Sequence, residues 1–119
     1  MEQSMELPSI EKTLEQASLL ATMNERRRSA AMVFDQSLIF GYQGGLFKAD
    51  AMTCGFAKML TEHEAYVVMI DLNKNPIMIQ DPDAFLTELM AVYTEAAMRY
   101  YAEVDQINKT RSKEGLTNV

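Results

Sequence analysis

The chain has 119 residues, of which 48% are hydrophobic and 24% charged, a composition typical of one globular domain and too short for two ordinary ones. Its formal net charge of -6 disfavours binding to nucleic acid or to anionic membranes. The single cysteine, Cys54, cannot form an intrachain disulfide, which favours a cytosolic setting. No apolar run reaches the roughly 18 residues of a membrane span, and residues 1–8 lack the pattern of a signal peptide.

The first predicted element is a helix that follows Pro8, where Ser9 can cap it. It is expected to run to about Arg28, with a continuation to Phe34 or beyond as the alternative, and residues 1–8 are expected to be disordered in front of it. Apolar residues recur along it in steps of three and four, at Ile10, Leu14, Ala17 and Ala21.

The middle of the chain predicts short strands and a short helix. Strand-forming residues occupy 38–48, with a turn at Gly44–Gly45. Asp50 can cap a helix from Ala51 to about Glu62, although Gly55 inside it costs about 1 kcal/mol relative to alanine. Either a close packing contact compensates for this glycine or the helix is weak. The buried face of this helix is predicted to consist of Met52, Phe56, Met59 and Leu60.

A β-hairpin is predicted over about residues 66–79. The apolar run YVVMIDL is the strongest strand, Asn73–Asn75 make a turn, and Pro76 opens the second strand. Together with residues 38–48 this hairpin could form a small antiparallel sheet. Asp81-Pro82 then starts a long amphipathic helix, about 82–110, which makes the predicted fold class α+β.

The long C-terminal helix carries the prediction of an interface. From Asp81 to Thr110 it would extend roughly 40 Å. A compact domain of this size is about 27 Å across, so part of the helix is expected to pack on another chain. The predicted interface residues are Tyr93, Ala96, Tyr100, Val104 and Ile107.

Methionine is abundant, with ten residues. The favoured interpretation is a soft core, because methionine fills irregular gaps. The alternative is a methionine-lined groove or interface, since adaptable binding surfaces also use this residue. That surface would consist of Met32, Met52, Met59, Met90 and Met98.

No pattern predicts a catalytic, cofactor-binding or metal site. His63 lies between Glu62 and Glu64, but neighbouring positions at a helix end do not converge on one ion, so a surface position is favoured. Cys54 is interpreted as a buried apolar group. Asp71, which leads into Asn73, is interpreted as turn chemistry.

Other polar and aromatic groups also favour structural interpretations. The consecutive Arg26, Arg27 and Arg28 point in three directions on a helix, which favours a solvated face over a docking contact to an acidic partner. Arg99 follows Glu95 by four residues and predicts an ordinary helical ion pair. The tyrosines of the last helix favour packing over a stacking surface; they are Tyr93, Tyr100 and Tyr101.

From Gly41 onward the order of motifs resembles a known group of proteins. An aromatic-Gly-Gly turn and a short strand (Tyr42–Phe47) are followed by a short helix and the segment VVMIDLNKNPIMIQD. The long helix then contains FLTEL and YTEAAMRYYAEVDQINKTRS. This pattern is similar to small proteins of uncharacterised function encoded by large contractile-tailed bacteriophages. The resemblance implies a viral origin and a role in particle assembly, and it transfers no catalytic residue to this chain.

Two functions are therefore expected from the sequence. The first is a non-enzymatic phage protein, a virion component or assembly chaperone, that self-associates through its long helices and binds other phage proteins in the host cytoplasm or virion. The alternative is a small acidic regulator that inhibits a host enzyme or sequesters a ligand, with its site at the sheet edge near Pro76 or at a methionine-lined pocket near Phe56. Residues 9–112 would form one domain, with a disordered tail at 113–119. No cofactor, metal, nucleic acid or membrane is expected as a partner.

Overall fold

The computed structural model describes the backbone of residues 2–63 and 65–113, and the side chains of residues 10–63 and 65–110. The elements in chain order are α1 (Glu2–Ser37), β1 (Ile39–Tyr42), β2 (Gly45–Lys48), α2 (Ala51–Thr61), β3 (Val67–Ile70), β4 (Pro76–Ile79) and α3 (Pro82–Lys113). The predicted α+β class is confirmed, with its N-terminal helix, short helix, β-hairpin and long C-terminal helix.

Helix α1 begins before the expected cap at Ser9 and continues to Ser37, in agreement with the longer of its two expected ends, Phe34 or beyond. Its first apolar positions, Ile10 and Leu14, are exposed, whereas Met23 and Ala30 are buried further along the helix. The disorder predicted for residues 1–8 and 113–119 stays a prediction, because residue 1, the side chains of residues 2–9 and residues 114–119 lie outside the described part of the chain.

The four strands form two separate two-stranded antiparallel sheets, β1–β2 and β3–β4, rather than the single sheet considered from the sequence. Tyr42 pairs with Gly45 in the first hairpin, so its loop has only two residues. Both loop residues, Gln43 and Gly44, have positive φ angles of 49° and 80°. This combination is the one that type I′ turns require, and it matches the twist of the flanking strands.

The chain divides into two compact units. The helical unit comprises Met1–Met32 and Tyr101–Val119, and the α+β unit comprises Val33–Tyr100. The single domain predicted for residues 9–112 stays a prediction. In the helical unit Met23 and Ile107 form a buried cluster with Leu20 packed against it. The core of the α+β unit draws on both hairpins, α2 and α3, and consists of Phe47, Ala49, Ala57, Val67, Met69, Ile79, Phe85 and Leu89.

Asp71 joins the two hairpins of the α+β unit. Its Oδ1 accepts hydrogen bonds from the amides of Asn73 and Asn75 at 2.9 and 2.8 Å, which confirms the predicted turn chemistry. Its Oδ2 accepts a third bond, at 3.0 Å, from the amide of Leu46 in the other hairpin. The amide of Leu72 in turn donates to the Leu46 carbonyl at 2.8 Å. The Asp71 carboxylate therefore lies where the two sheets meet.

Helix α2 begins as predicted but buries a different face. The Asp50 side chain caps it by accepting a hydrogen bond from the Thr53 amide at 2.8 Å. The predicted buried face was wrong, because Met52, Phe56 and Met59 are 84%, 47% and 50% exposed. Ala57, which is 2% exposed, faces the core instead. Only Leu60 of the predicted set packs on the core, and Cys54 joins it there. Small side chains at the contact allow α2 to approach the sheets closely.

Candidate association surface

The five predicted interface residues mostly find partners within the chain itself. In the α+β unit, the ring of Phe34 on α1 stacks on Tyr100 at 5.0 Å between centroids and meets the edge of Tyr93 at 6.2 Å. Ala96 is buried, and in the helical unit Ile107 is fully buried beside Met23 while Val104 is half-buried. Of the five, Tyr93 keeps the largest exposed fraction, 37%. An interface through this set stays a prediction, but Ala96 and Ile107 present almost no surface to a second chain.

The three consecutive arginines also have partners inside the helical unit. Arg26 forms an ion pair with Glu103 at 3.5 Å. Arg27 donates to the side-chain oxygens of Asn24 and Asn108. Arg28 pairs with Glu25 one helical turn earlier, at 2.8 Å. These groups are largely solvated, so each pair contributes little to stability.

The methionines that the sequence placed either in a core or at an interface are all exposed. Met32, Met52, Met59, Met90 and Met98 each leave about half or more of their surface accessible. Met23 and Met69 are buried instead. For these five residues the favoured interpretation, a soft core, was wrong. Four of them lie in the α+β unit, and three of those lie on or beside α2.

We define the α2 ridge as Met52, Phe56 and Met59, together with Gly55 between them. These positions recur at steps of three and four and therefore share one side of α2, opposite the buried Ala57. Apart from its chain neighbours and the adjacent backbone of α2, no atom of the described residues lies within 4 Å of the position that a Cβ atom at Gly55 would occupy. Helix α2 is thus apolar on the side that faces the core and also on the side that faces solvent.

Beside the ridge lies a cavity between α2 and α3, which we define as the α2–α3 hollow. Its volume is about 280 Å³, and it is open on one side. The residues that line it are Ala51, Cys54, Met90, Tyr93 and Thr94. Its lining is mostly apolar, and Tyr93 and Thr94 are the lining residues that carry a hydroxyl group. The hollow and the ridge adjoin, because Ala51 and Gly55 lie one helical turn apart on α2.

The Cys54 thiol in this hollow is not prepared for nucleophilic chemistry. Partial burial raises the pKa of Cys54, and the nearby charge of Asp50 raises it further. A raised pKa keeps the thiol protonated near neutral pH, whereas reactive cysteines have lowered values. Cys54 therefore contributes a half-buried apolar wall, close to the buried apolar group predicted from the sequence.

The remaining candidates are structural. His63 is exposed just beyond the end of α2, while Glu64 lies outside the described residues. Asp71 is 5% exposed, and its pKa is lowered chiefly by the hydrogen bond from the Leu46 amide and then by the bond from Asn75. The predicted pair of Glu95 and Arg99 is confirmed at 2.6 Å. Among the side chains of residues 10–63 and 65–110, no group of three or more acidic, cysteine or histidine residues is placed to hold a metal ion.

In the described part of the chain, none of the helices combines the length and the apolar character that crossing a membrane requires.

Known proteins give no family for this chain. No protein-family model matches it, and neither a curated protein nor a solved structure does. The resemblance to phage proteins consequently rests on the sequence pattern alone, and the functional argument rests on the surface of the α+β unit.

Proposed function

We propose that this protein acts by binding other protein chains through the α2 ridge and the α2–α3 hollow, as an assembly or accessory component rather than an enzyme. The observation that carries the proposal is the solvent-facing side of α2, where three large apolar side chains are about half exposed or more. Exposed single apolar residues are common on protein surfaces, but a contiguous apolar patch marks an interaction site.

The energetics of α2 favour a partner. A helix that is apolar all round is normally buried, because each large apolar side chain contributes about 1.5–3 kcal/mol when it leaves water. Gly55 adds to this argument, since it weakens α2 and the chain makes no contact in the space above it. A partner backbone could approach α2 closely at that point.

The methionine content suits such a surface. Methionine has three rotatable bonds and a polarisable sulfur, so it adapts to partners of different shape. Met52 and Met59 belong to the ridge, Met90 lines the hollow, and all three are exposed. The role proposed from the phage resemblance, a virion component or assembly chaperone in the host cytoplasm or virion, requires binding of this adaptable kind.

The alternative function, a small acidic regulator that sequesters a ligand, draws support from the hollow. Its volume of about 280 Å³ lies near the lower limit of known ligand pockets, and its lining residues are apolar except for Tyr93 and Thr94. The ridge, however, extends beyond the hollow and would remain exposed with a small ligand bound. A protein partner accounts for both features.

The test is recovery of partners from the native host by a tagged full-length chain. The ridge variant is Met52→Lys, and the matched control is Met98→Lys, another exposed methionine of the α+β unit outside the ridge and the hollow. We expect the wild type and the control to recover the same particle proteins or further copies of the chain, and the ridge variant to lose them. Equal recovery by all three chains would refute the proposal, and ridge-dependent recovery of one host enzyme would establish the regulator instead.

A further inference from the structure

We infer that the occupant of this surface is a second copy of the chain, in a two-fold dimer in which Met52 of each copy enters the α2–α3 hollow of the other. This inference rests on the proposed function and names its partner. A two-fold interface uses the same patch on both copies, so the patch must complement itself. The α2 ridge and the α2–α3 hollow provide a protruding and a receiving feature on one surface.

The protruding feature is Met52, which at 84% has the largest exposed fraction among the large apolar residues described. The receiving feature is the hollow, whose volume of about 280 Å³ is sufficient for one methionine side chain. Ala51 lines the hollow and precedes Gly55 of the ridge by four residues, so the two features are neighbours on the surface of α2. One two-fold axis passing near α2 would bring each Met52 to the partner's hollow.

Charge permits a second copy at this face. The formal net charge of -6 makes two chains repel each other when acidic surfaces meet. None of the residues that form the ridge or line the hollow is charged. Beside the ridge, Lys58 and Glu62 neutralise each other as an ion pair at 3.8 Å. The ridge and the hollow therefore bring no charge of their own into the contact, although the carboxylate of Asp50 lies close enough to act on Cys54 in the hollow.

The area is that of a weak, reversible dimer. The exposed side chains of the ridge and the hollow amount to on the order of 500 Å² per copy, near the upper end of the largest patch on a typical monomer. Two copies would bury on the order of 1,000 Å² in total, which is the lower limit for a specific interface. The open strip at Gly55 lets the two α2 backbones approach, which brings the flanking methionines into contact.

Cys54 provides a probe of the contact, since it lines the hollow and is the only cysteine in the chain. In the dimer the inserted methionine covers its thiol. The rate at which iodoacetamide labels Cys54 should therefore be proportional to the fraction of chains that are monomeric. By mass action, the labelling rate should be about fivefold lower at a total concentration ten times Kd than at high dilution.

The experiment combines light scattering with Cys54 labelling on the full chain, from about 1 μM to about 1 mM. We expect the wild type and Met98→Lys to pass from monomer to dimer as labelling slows, and Met52→Lys to stay monomeric with fast labelling throughout. Circular dichroism confirms that each variant is folded.

A wild type that stays monomeric up to the highest concentration would overturn the inference, as would a dimer that Met52→Lys leaves intact with Cys54 still labelled freely. Ridge-dependent recovery of particle proteins would then leave the proposed function standing, whereas the absence of both dimerisation and ridge-dependent recovery would remove the function and the inference together.

Discussion

Replacing Gly55 by alanine is expected to stabilise the folded monomer. Gly55 lies in the interior of the 11-residue helix α2, and the space that a new methyl group would occupy is empty. Alanine in a helix interior is favoured over glycine by about 0.8–1.0 kcal/mol. With an unfolding entropy of about 2.1 cal/mol/K per residue, this gain corresponds to an increase in Tm of about 4 °C. Thermal and urea unfolding followed by circular dichroism would measure it, at a protein concentration low enough to keep the chain monomeric.

Gly45→Ala is the matched comparison, because the same change meets a filled space. A methyl group at Gly45 would lie 2.8 Å from Cγ1 of Ile77 and 2.9 Å from Cε2 of Phe47. Overpacking of this kind costs about 1–3 kcal/mol. The two alanine variants should therefore shift the free energy of unfolding in opposite directions. If Gly55→Ala destabilised the dilute monomer, the chain itself would be using that space, and the α2 ridge could not be a free surface.

Three further outcomes follow from the α+β unit. Leu89→Ala should lower the free energy of unfolding by about 2–5 kcal/mol in urea, because Leu89 is fully buried, whereas Met98→Ala should change it by less than about 0.5 kcal/mol. A similar loss in both variants would contradict the described core. Gln43→Asn should raise the free energy of unfolding by a few tenths of a kcal/mol, since Asn-Gly is the favoured type I′ pair and both loop residues have positive φ; an unchanged urea midpoint would count against this turn. The lowered pKa of Asp71 means that its contribution is present above the unfolded-state pKa, near 3.8, and is lost as the pH falls through the folded-state value. The stability difference between wild type and Asp71→Asn should thus be constant near neutral pH and shrink below about pH 4, and a difference that persists in acid would rule out this ionised carboxylate as its source.

Local signals predicted the elements well. The caps at Asp50 and Asp81 each accept the expected amide hydrogen bond, from Thr53 and from Ala84. The turn at Asp71 could also be predicted from the sequence, because its hydrogen-bond donors Asn73 and Asn75 are only two and four residues away. The hydrogen bond from the Leu46 amide to Asp71 could not be predicted from the sequence. The two residues are 25 positions apart, and the bond depends on how the two hairpins meet.

The orientation of α2 could not be predicted from periodicity. Helix α2 has two apolar faces, one with large side chains and one with small side chains. The sequence pattern predicted that the face with the large side chains would be buried. The structure buries Ala57 because closeness of approach, rather than side-chain size, decides this contact. Met52 and Met59, which flank Phe56 at steps of four and three, therefore lie on the exposed side of α2, whereas the sequence pattern predicted them on its buried side.

The long C-terminal helix shows a second limit of sequence reasoning. Its length predicted a partner in another chain, but α1 is itself 36 residues long, and its last residues, from Val33 onward, belong to the α+β unit. Phe34, near the end of α1, supplies the aromatic partner for Tyr93 and Tyr100. Periodicity identifies an apolar helix face that must be buried, but it does not show whether the residues that pack on this face belong to the same chain.

The carboxylate of Asp71 also has a consequence for how the α+β unit opens. An isolated two-stranded hairpin is at best marginally stable in water. Because one side chain holds amides from both hairpins, loss of either hairpin leaves a buried carboxylate short of donors. Local opening of one hairpin alone is thereby penalised, and the two should exchange their amide hydrogens as one cooperative unit. The amides of Leu46 and Asn75 would then share a single opening free energy, although Leu46 belongs to one hairpin and Asn75 to the other.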